Sequence, residues 1–161
     1  MDYTVVGKSL PKVDGIEKAT GKAIYIDDVV LPNMLFGKIL RSPYAHARIL
    51  NIDVSRARSL PGVRAVLTGS DLPKQRMGAF ILDEPVLAQS VVRYIGEPVA
   101  AIAAVDKETA REAIGLIAAE YEELPAVFDP LQAMEEDSPS IHQDFASYVK
   151  VFEPVWRGNV C

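Results

Sequence analysis

Apolar residues along this chain fall in short runs broken by turns that carry Gly, Pro or Asp. That pattern predicts several short strands and a few helices, not long periodic elements. Residues 1–21 hold Gly7, Pro11, Gly15 and Gly21 among scattered charges and read as an extended arm with turns. Residues 23–26 (AIYI) give a first strand, ended by Asp27 and Asp28. Residues 34–41 (MLFGKILR) give a second, closed by Ser42 and Pro43. In residues 49–54 Leu50, Ile52 and Val54 alternate with Asn51 and Asp53, the period of a half-buried strand. Ser55 then caps a short helix over residues 56–60, and Pro61 and Gly62 stop it. Residues 63–68 (VRAVLT) form a further strand with Val63, Ala65 and Leu67 on one face.

Gly69 to Pro73 reads as a turn with a brief helical start. Residues 74–89 show no sustained period, so they predict a long loop with one short strand at most. Residues 98–105 (PVAAIAAV) are continuously apolar, as in a strand buried on both faces. Asp106 is placed to cap the helix that follows, and Glu108 adds negative charge to its first turn. Ala110, Ala113, Ile114 and Ile117 recur at helical spacing and make a narrow apolar stripe. Residues 119–123 return to strand character, and Asp129 with Pro130 begins a short helix running to Met134. Beyond Glu135 the chain turns polar, with Pro139, Pro154 and aromatic residues from Phe145 to Phe152, and predicts an extended tail. The fold class expected is α+β: an arm over residues 1–21, a domain over 22–135 and a tail over 136–161.

Composition narrows the classes of function. With 161 residues, 49% of them hydrophobic, the chain can bury one core, which argues against disorder throughout. The 17 basic and 22 acidic residues give a net charge of −5, so a uniform nucleic-acid-binding surface is disfavoured. Cys161 is the single cysteine and His46 and His142 the two histidines. They can form neither an internal disulfide nor a cysteine-rich zinc or iron–sulfur site, and they disfavour a self-contained metalloenzyme. The N-terminus lacks a signal-peptide pattern, and residues 98–105 fall far short of the roughly 20 apolar residues of a membrane helix. A soluble cytoplasmic protein is the expectation.

The candidate chemical groups are sparse. The turn at Val105, Asp106 and Lys107 carries no glycine, so it offers no nucleotide-phosphate loop. His46, in the stretch Ser42-Pro43-Tyr44-Ala45-His46-Ala47-Arg48, has no identifiable acid/base partner in the sequence. A loop histidine bonded to neighbouring backbone is favoured there, and a plain surface residue is favoured for His142. The carboxylate pairs Asp27-Asp28, Asp83-Glu84, Glu122-Glu123 and Glu135-Glu136 read as solvated turns or opposed strand faces. Arg41, Arg48 and Arg93 sit beside Gly- and Pro-bearing turns, where they could clamp an anion; ordinary salt bridging is the favoured alternative.

A family resemblance adds what spacing does not supply. Its residues begin with Lys12-Val13-Asp14-Gly15, Lys18-Ala19-Thr20-Gly21, Tyr25-Ile26-Asp27-Asp28 and Met34-Leu35-Phe36-Gly37. The series continues with Leu40-Arg41-Ser42-Pro43-Tyr44-Ala45-His46-Ala47-Arg48-Ile49, Pro61-Gly62-Val63 and Thr68-Gly69-Ser70-Asp71. Val92-Arg93-Tyr94-Ile95-Gly96-Glu97-Pro98-Val99-Ala100 and Tyr121-Glu122-Glu123-Leu124-Pro125 complete it. In this order they resemble the N-terminal a/b hammerhead domain of the large subunit of molybdenum hydroxylases. That group includes xanthine dehydrogenase, aldehyde oxidoreductase, carbon monoxide dehydrogenase and 4-hydroxybenzoyl-CoA reductase. The resemblance runs over residues 8–142.

It implies an a/b hammerhead fold, a mixed sheet with two or three short helices and extended terminal arms. It also implies an oxidoreductase whose large subunit holds molybdopterin, commonly the cytosine dinucleotide form in bacteria, with iron–sulfur clusters and FAD in partner domains or subunits. In that family the cofactor-contacting loops and the catalytic glutamate lie beyond the hammerhead. No catalytic, cofactor-binding or metal-binding residue is therefore assigned here. The role implied is structural, packing against the molybdopterin and iron–sulfur domains and shaping substrate access. Tyr148, Phe152 and Trp156 then read as anchors for neighbouring domains, and Cys161 as a point of interruption, not a nucleophile. His46 and the 74–89 loop are the segments whose reach toward a substrate channel stays open. A stand-alone interaction or small-ligand module of the same fold, without redox activity, is the alternative.

Overall fold

The computed structural model describes residues 3–152, 155 and 157–160. Among the described residues ten strands form in chain order. They are β1 (Phe36–Arg41), β2 (Ala47–Asp53), β3 (Val63–Thr68), β4 (Arg76–Met77), β5 (Ile81–Leu82), β6 (Glu84–Pro85), β7 (Val91–Val92), β8 (Pro98–Ala104), β9 (Ala118–Glu123) and β10 (Val149–Lys150). The helices are α1 (Gly15–Ala19), α2 (Ser55–Ser59), α3 (Lys107–Gly115) and α4 (Pro130–Ala133). The chain clusters into two units, Met1–Met34 and Leu35–Cys161.

The first unit holds α1 and a 3₁₀ turn at Ile26–Asp28, and none of its described residues is buried. The strand expected over residues 23–26 does not form. Asp28 Oδ2 accepts from Tyr25 N at 3.0 Å while Tyr25 O accepts from Asp28 N at 3.0 Å, closing a turn instead. A short acidic side chain competes here for the backbone donor that a strand would have used.

In the second unit the apolar run at 98–104 becomes the middle strand of an antiparallel sheet ordered β1-β8-β3. Helices α2 and α3 cover one face of it, burying Ala57, Val66, Ile102, Ala104, Ala110 and Ala113. Four of those six are alanines, so the helices lie close to the sheet. Asp106 caps α3 as expected, its Oδ1 accepting from Thr109 N at 2.7 Å. The helix stops at Gly115, so Ile117 packs at the edge of this core from beyond the helix.

A second antiparallel sheet, β7-β2-β9, buries Ala47, Ala88, Val92 and Val99, with Tyr44, Ile49, Ile52 and Tyr121 around them. Two expected strand faces change. A register shift between Ile49 and Asn51 puts Ile49 and Ile52 against the core and leaves Leu50 exposed. A second shift between Val63 and Ala65 puts Val63 and Val66 on the helix side, with Ala65 and Leu67 exposed. One extra residue in a strand reverses the side on which later residues point. Ser55 is not the cap expected for α2: the helix begins at Ser55, and Asp53 Oδ1 accepts from Ser55 N at 2.9 Å.

Residues 74–89 were expected to hold one strand at most, yet they contain the dipeptide strands β4, β5 and β6. Strand β4 pairs with β6, and β5 pairs with β10 of the C-terminal segment. A two-residue pairing is too short for any hydrophobic period to register. Gly69 has a packing reason: a Cβ there would lie 2.5 Å from Ala88 O.

The C-terminal segment folds back instead of extending away. A 3₁₀ turn at Phe145–Ser147 leads into β10, and Phe145 and Tyr148 are buried. Tyr148 therefore anchors this chain to itself, not to a neighbour. Phe152 is 53% exposed and stacks obliquely on Phe80, with ring centroids 6.0 Å apart. Trp156, Pro154 and Cys161 lie outside the described residues. The α+β class stands, carried by small antiparallel sheets and short helices.

Candidate functional site: an interlocked joint beside an open groove

Three of the sequence stretches that carry the resemblance meet at one place. The backbone of Ser42 bonds the turn at residues 94–97 twice, donating to Glu97 O at 2.9 Å and accepting from Gly96 N at 2.8 Å. Gly96 sits at φ +93°, a conformation that side-chain-bearing residues rarely adopt, and its carbonyl accepts from Arg41 Nη1 at 2.8 Å. Buried Ser42 Oγ accepts from Tyr44 N at 3.0 Å, turning the chain toward His46. His46 is buried; its Nδ1 lies 2.6 Å from Pro125 O, and its own carbonyl accepts from Leu124 N at 2.9 Å. A carbonyl only accepts, so Nδ1 carries the proton. The expected backbone-bonded histidine is what forms, but its partner is 79 residues away instead of nearby.

Arg93 links this joint to the C-terminal segment. Its Nε donates to Ile141 O and its Nη2 to Asp144 Oδ1, each at 3.2 Å. Its backbone N–H donates to Oε2 of buried Glu97. Burial pushes the Glu97 carboxyl above the usual range, and the Arg93 amide and guanidinium pull only partly the other way. Asp144 also accepts from Arg76 Nη2 at 2.9 Å and from the Tyr148 hydroxyl at 2.8 Å. Desolvation pushes Asp144 up, but the Tyr148 hydrogen bond and the two guanidinium groups outweigh it, leaving its carboxyl below the ordinary value. Burial, then the bond to Asp144, raises the Tyr148 phenol. His142 is half-buried, not the plain surface residue expected, with Nδ1 3.0 Å from the Tyr148 hydroxyl. Desolvation and the Arg93 charge hold its imidazole below the usual pKa.

Beside this network runs an open groove of about 490 Å³, lined in part by His46, Arg48, Arg93, Leu124, Gln143 and Asp144. The two arginines that line it, and Arg41 outside it, are already engaged. Arg48 pairs with Glu122, Arg93 pairs with Asp144, and Arg41 bonds the Gly96 carbonyl. Salt bridging is thus what Arg48 and Arg93 do in this chain, whereas Arg41 bonds a backbone carbonyl. The carboxylate pairs do not converge into an acid/base dyad. Glu122 pairs with Arg48, Asp28 closes its own turn and Glu136 pairs with Arg157. Among the described residues no three His, Cys, Asp or Glu side chains gather in a way that could hold a metal ion. The donors and acceptors of the network bond one another. Sequence reasoning missed Asp144 and Arg76, the centre of the network. Both lie in aperiodic stretches, and only the folded chain brings them within reach of each other.

An α+β domain whose joint is built from those stretches defines a structural class. Residues 20–125 match the family model described as the a/b hammerhead domain of aldehyde oxidase and xanthine dehydrogenase. The chain belongs to that family. It is 44% identical over 144 residues to the nicotinate dehydrogenase large molybdopterin subunit of Eubacterium barkeri, covering 89% of this chain and 34% of that protein. It is 43% identical over 143 residues to the carbon monoxide dehydrogenase large chain of Afipia carboxidovorans, covering 86% of this chain and 18% of that one. The reconstituted CO dehydrogenase of Oligotropha carboxidovorans superposes with a TM-score of 0.80 at 43% identity, over 86% of this chain and 18% of that chain. The aldehyde oxidoreductase of Desulfovibrio desulfuricans gives 0.76 at 27% identity, over 86% and 17%. This chain therefore spans about a third or less of the length of these relatives. Among the described residues no helix is long and apolar enough to cross a membrane.

Proposed function

We propose that these residues serve as the N-terminal structural domain of a molybdenum-dependent oxidoreductase large subunit, in the cytoplasm, and bind no cofactor themselves. On this reading the domain packs against the rest of that subunit and against an iron–sulfur domain or subunit. It helps shape the approach to a molybdopterin site, with FAD in a further partner. Molybdopterin, in the cytosine dinucleotide form, would supply carbon hydroxylation with water as the oxygen source. This chain's own residues supply a rigid wall: the Ser42–Gly96 and His46–Pro125 bonds fix three loops, and Asp144 ties the C-terminal segment to them. The domain boundaries proposed are an arm at 1–21, the hammerhead at 22–135 and a leading segment at 136–161.

The observation that supports this best is the self-satisfied joint. Family-typical polar residues are consumed in holding loops together, as suits a scaffold and not a reaction centre. Hence a separate small-ligand module is not favoured. To test it, the endogenous protein containing this segment would be purified through a tag placed beside Tyr3 and assayed for molybdenum, iron and flavin. Co-purification of all three in fixed ratio is expected. A 161-residue protein free of all three would overturn the reading.

A further inference from the structure

The chain between β3 and β7 carries polar side chains that the joint does not use. Lys74 and Gln75 lead into Arg76 at the start of β4, while Gln89 and Ser90 precede β7, which Arg93 follows. Arg76 and Arg93 both bond Asp144, and this brings the two segments together around a cavity of about 40 Å³. All six of these residues line it, and no carboxylate does. Asp144 faces the neighbouring groove, and Glu97 is buried against the Arg93 amide. Asp83 and His142 line a separate cavity. Even with Asp144 and Glu97 both ionised, the three cations Lys74, Arg76 and Arg93 outnumber them.

The two guanidinium groups make a fixed floor. The Arg93 side chain is 15% and the Arg76 side chain 29% exposed, and two hydrogen bonds hold each of them. Those bonds leave Arg93 Nη1 and Arg76 Nε without a partner among the described residues. At the exposed rim, Lys74 Nζ, the amides of Gln75 and Gln89 and the Ser90 hydroxyl also bond nothing among the described residues. Every one of these groups donates hydrogen bonds, so together they match an oxyanion. Guanidinium groups already held by the protein lose little further freedom when such a ligand arrives. Volume sets its size: the space holds roughly three waters or one tetrahedral oxyanion, too little for a heterocycle.

We propose that this cavity binds a single phosphoryl group, with Arg76 and Arg93 as its floor and Lys74, Gln75, Gln89 and Ser90 as its rim. The group is either free phosphate or the end of a larger phosphomonoester whose remainder stays in solvent, since both present the same oxygens. The site gives the 74–89 stretch a role and adds a ligand to the scaffold. It does not depend on the proposed function.

The test is calorimetric titration of inorganic phosphate into the endogenous protein that contains this segment, in a chloride buffer at neutral pH. Arg76 and Arg93 hold the fold, so the variants are made at the exposed rim: Lys74→Gln and Gln89→Glu, with Lys74→Arg as the conservative control. Saturable binding in about the millimolar range or tighter is expected, at least about fivefold weaker in Lys74→Gln. Gln89→Glu sets a carboxylate against the anion and should abolish it, whereas Lys74→Arg keeps the charge and should stay within about threefold of the parent. Other phosphate sites in the whole protein would be untouched by these substitutions, so the change in the variants locates the cavity. Phenyl phosphate binding at least as tightly as phosphate would assign the group to a larger molecule. Its exclusion would assign the group to the free ion, and either result upholds the site. No binding at about 10 mM phosphate, or binding unchanged in both Lys74→Gln and Gln89→Glu, would overturn it.

Discussion

Asp144 is the residue that ties the C-terminal segment to Arg76 and Arg93. It gathers two guanidinium groups and a phenol, and its carboxyl sits below its ordinary pKa because the Tyr148, Arg76 and Arg93 contacts outweigh desolvation. A lowered carboxylate stabilises the fold above its unfolded value, near 4, and loses that contribution as pH falls through the folded value. Asp144→Asn should cost about 1–2 kcal/mol at pH 7, a modest figure because the side chain is partly exposed, and the loss should vanish in acid. Urea unfolding at two pH values checks it. Glu97 carries the opposite sign. Burial raises its pKa, so its ionised form works against folding at neutral pH. Glu97→Gln keeps an oxygen for the Arg93 amide and should leave the melting temperature at pH 7 equal or higher. A fall of several degrees would show that the charge itself, through Arg93, holds the joint.

At the scale of elements, the C-terminal segment should be the pH-sensitive part of the second unit. His142 is held neutral by desolvation and by Arg93, with Arg76 acting the same way and Asp83 and Asp144 opposing. An imidazole with lowered pKa binds fewer protons folded than unfolded, so stability is lost as pH falls below about 6.5. Amide exchange at residues 141–150, corrected for intrinsic rates, should therefore be faster at pH 5.5 than at pH 7.5, while β8 stays protected. Equal protection at both would remove His142 from the account. The elements readable from sequence were those with strong local signals: β8 from its unbroken apolar run, and α3 from Asp106 and its alanine stripe. The inward faces of β2 and β3 were not readable, because bulges at Ile49/Asn51 and Val63/Ala65 reset the alternation. Asp144 stayed hidden for another reason: its partners Arg76 and Arg93 lie 68 and 51 residues away, and no local pattern encodes that meeting. The stretches around Ser42, Arg93 and Leu124 were legible as family marks, and in the fold they bond one another.

On the scale of the whole molecule, the two units differ in how they could stand alone. The second has two hydrophobic cores, whereas the first leaves Val13, Ile16, Ile26 and Val30 more than three-quarters exposed. Ordering a residue costs roughly 1–2 kcal/mol of conformational entropy, and residues 3–34 bury nothing fully to offset it. In the 161-residue chain these amides should exchange at near-unprotected rates. Strong protection there would mean that the unit carries its own stability. The central claim we propose is that this domain is a scaffold whose polar groups hold its own joint, with cofactor chemistry left to residues outside it. Its most direct test is elemental and pterin analysis of the purified 161-residue chain after gel filtration. The account predicts molybdenum and pterin far below one per chain; retention of one of each per chain would contradict it.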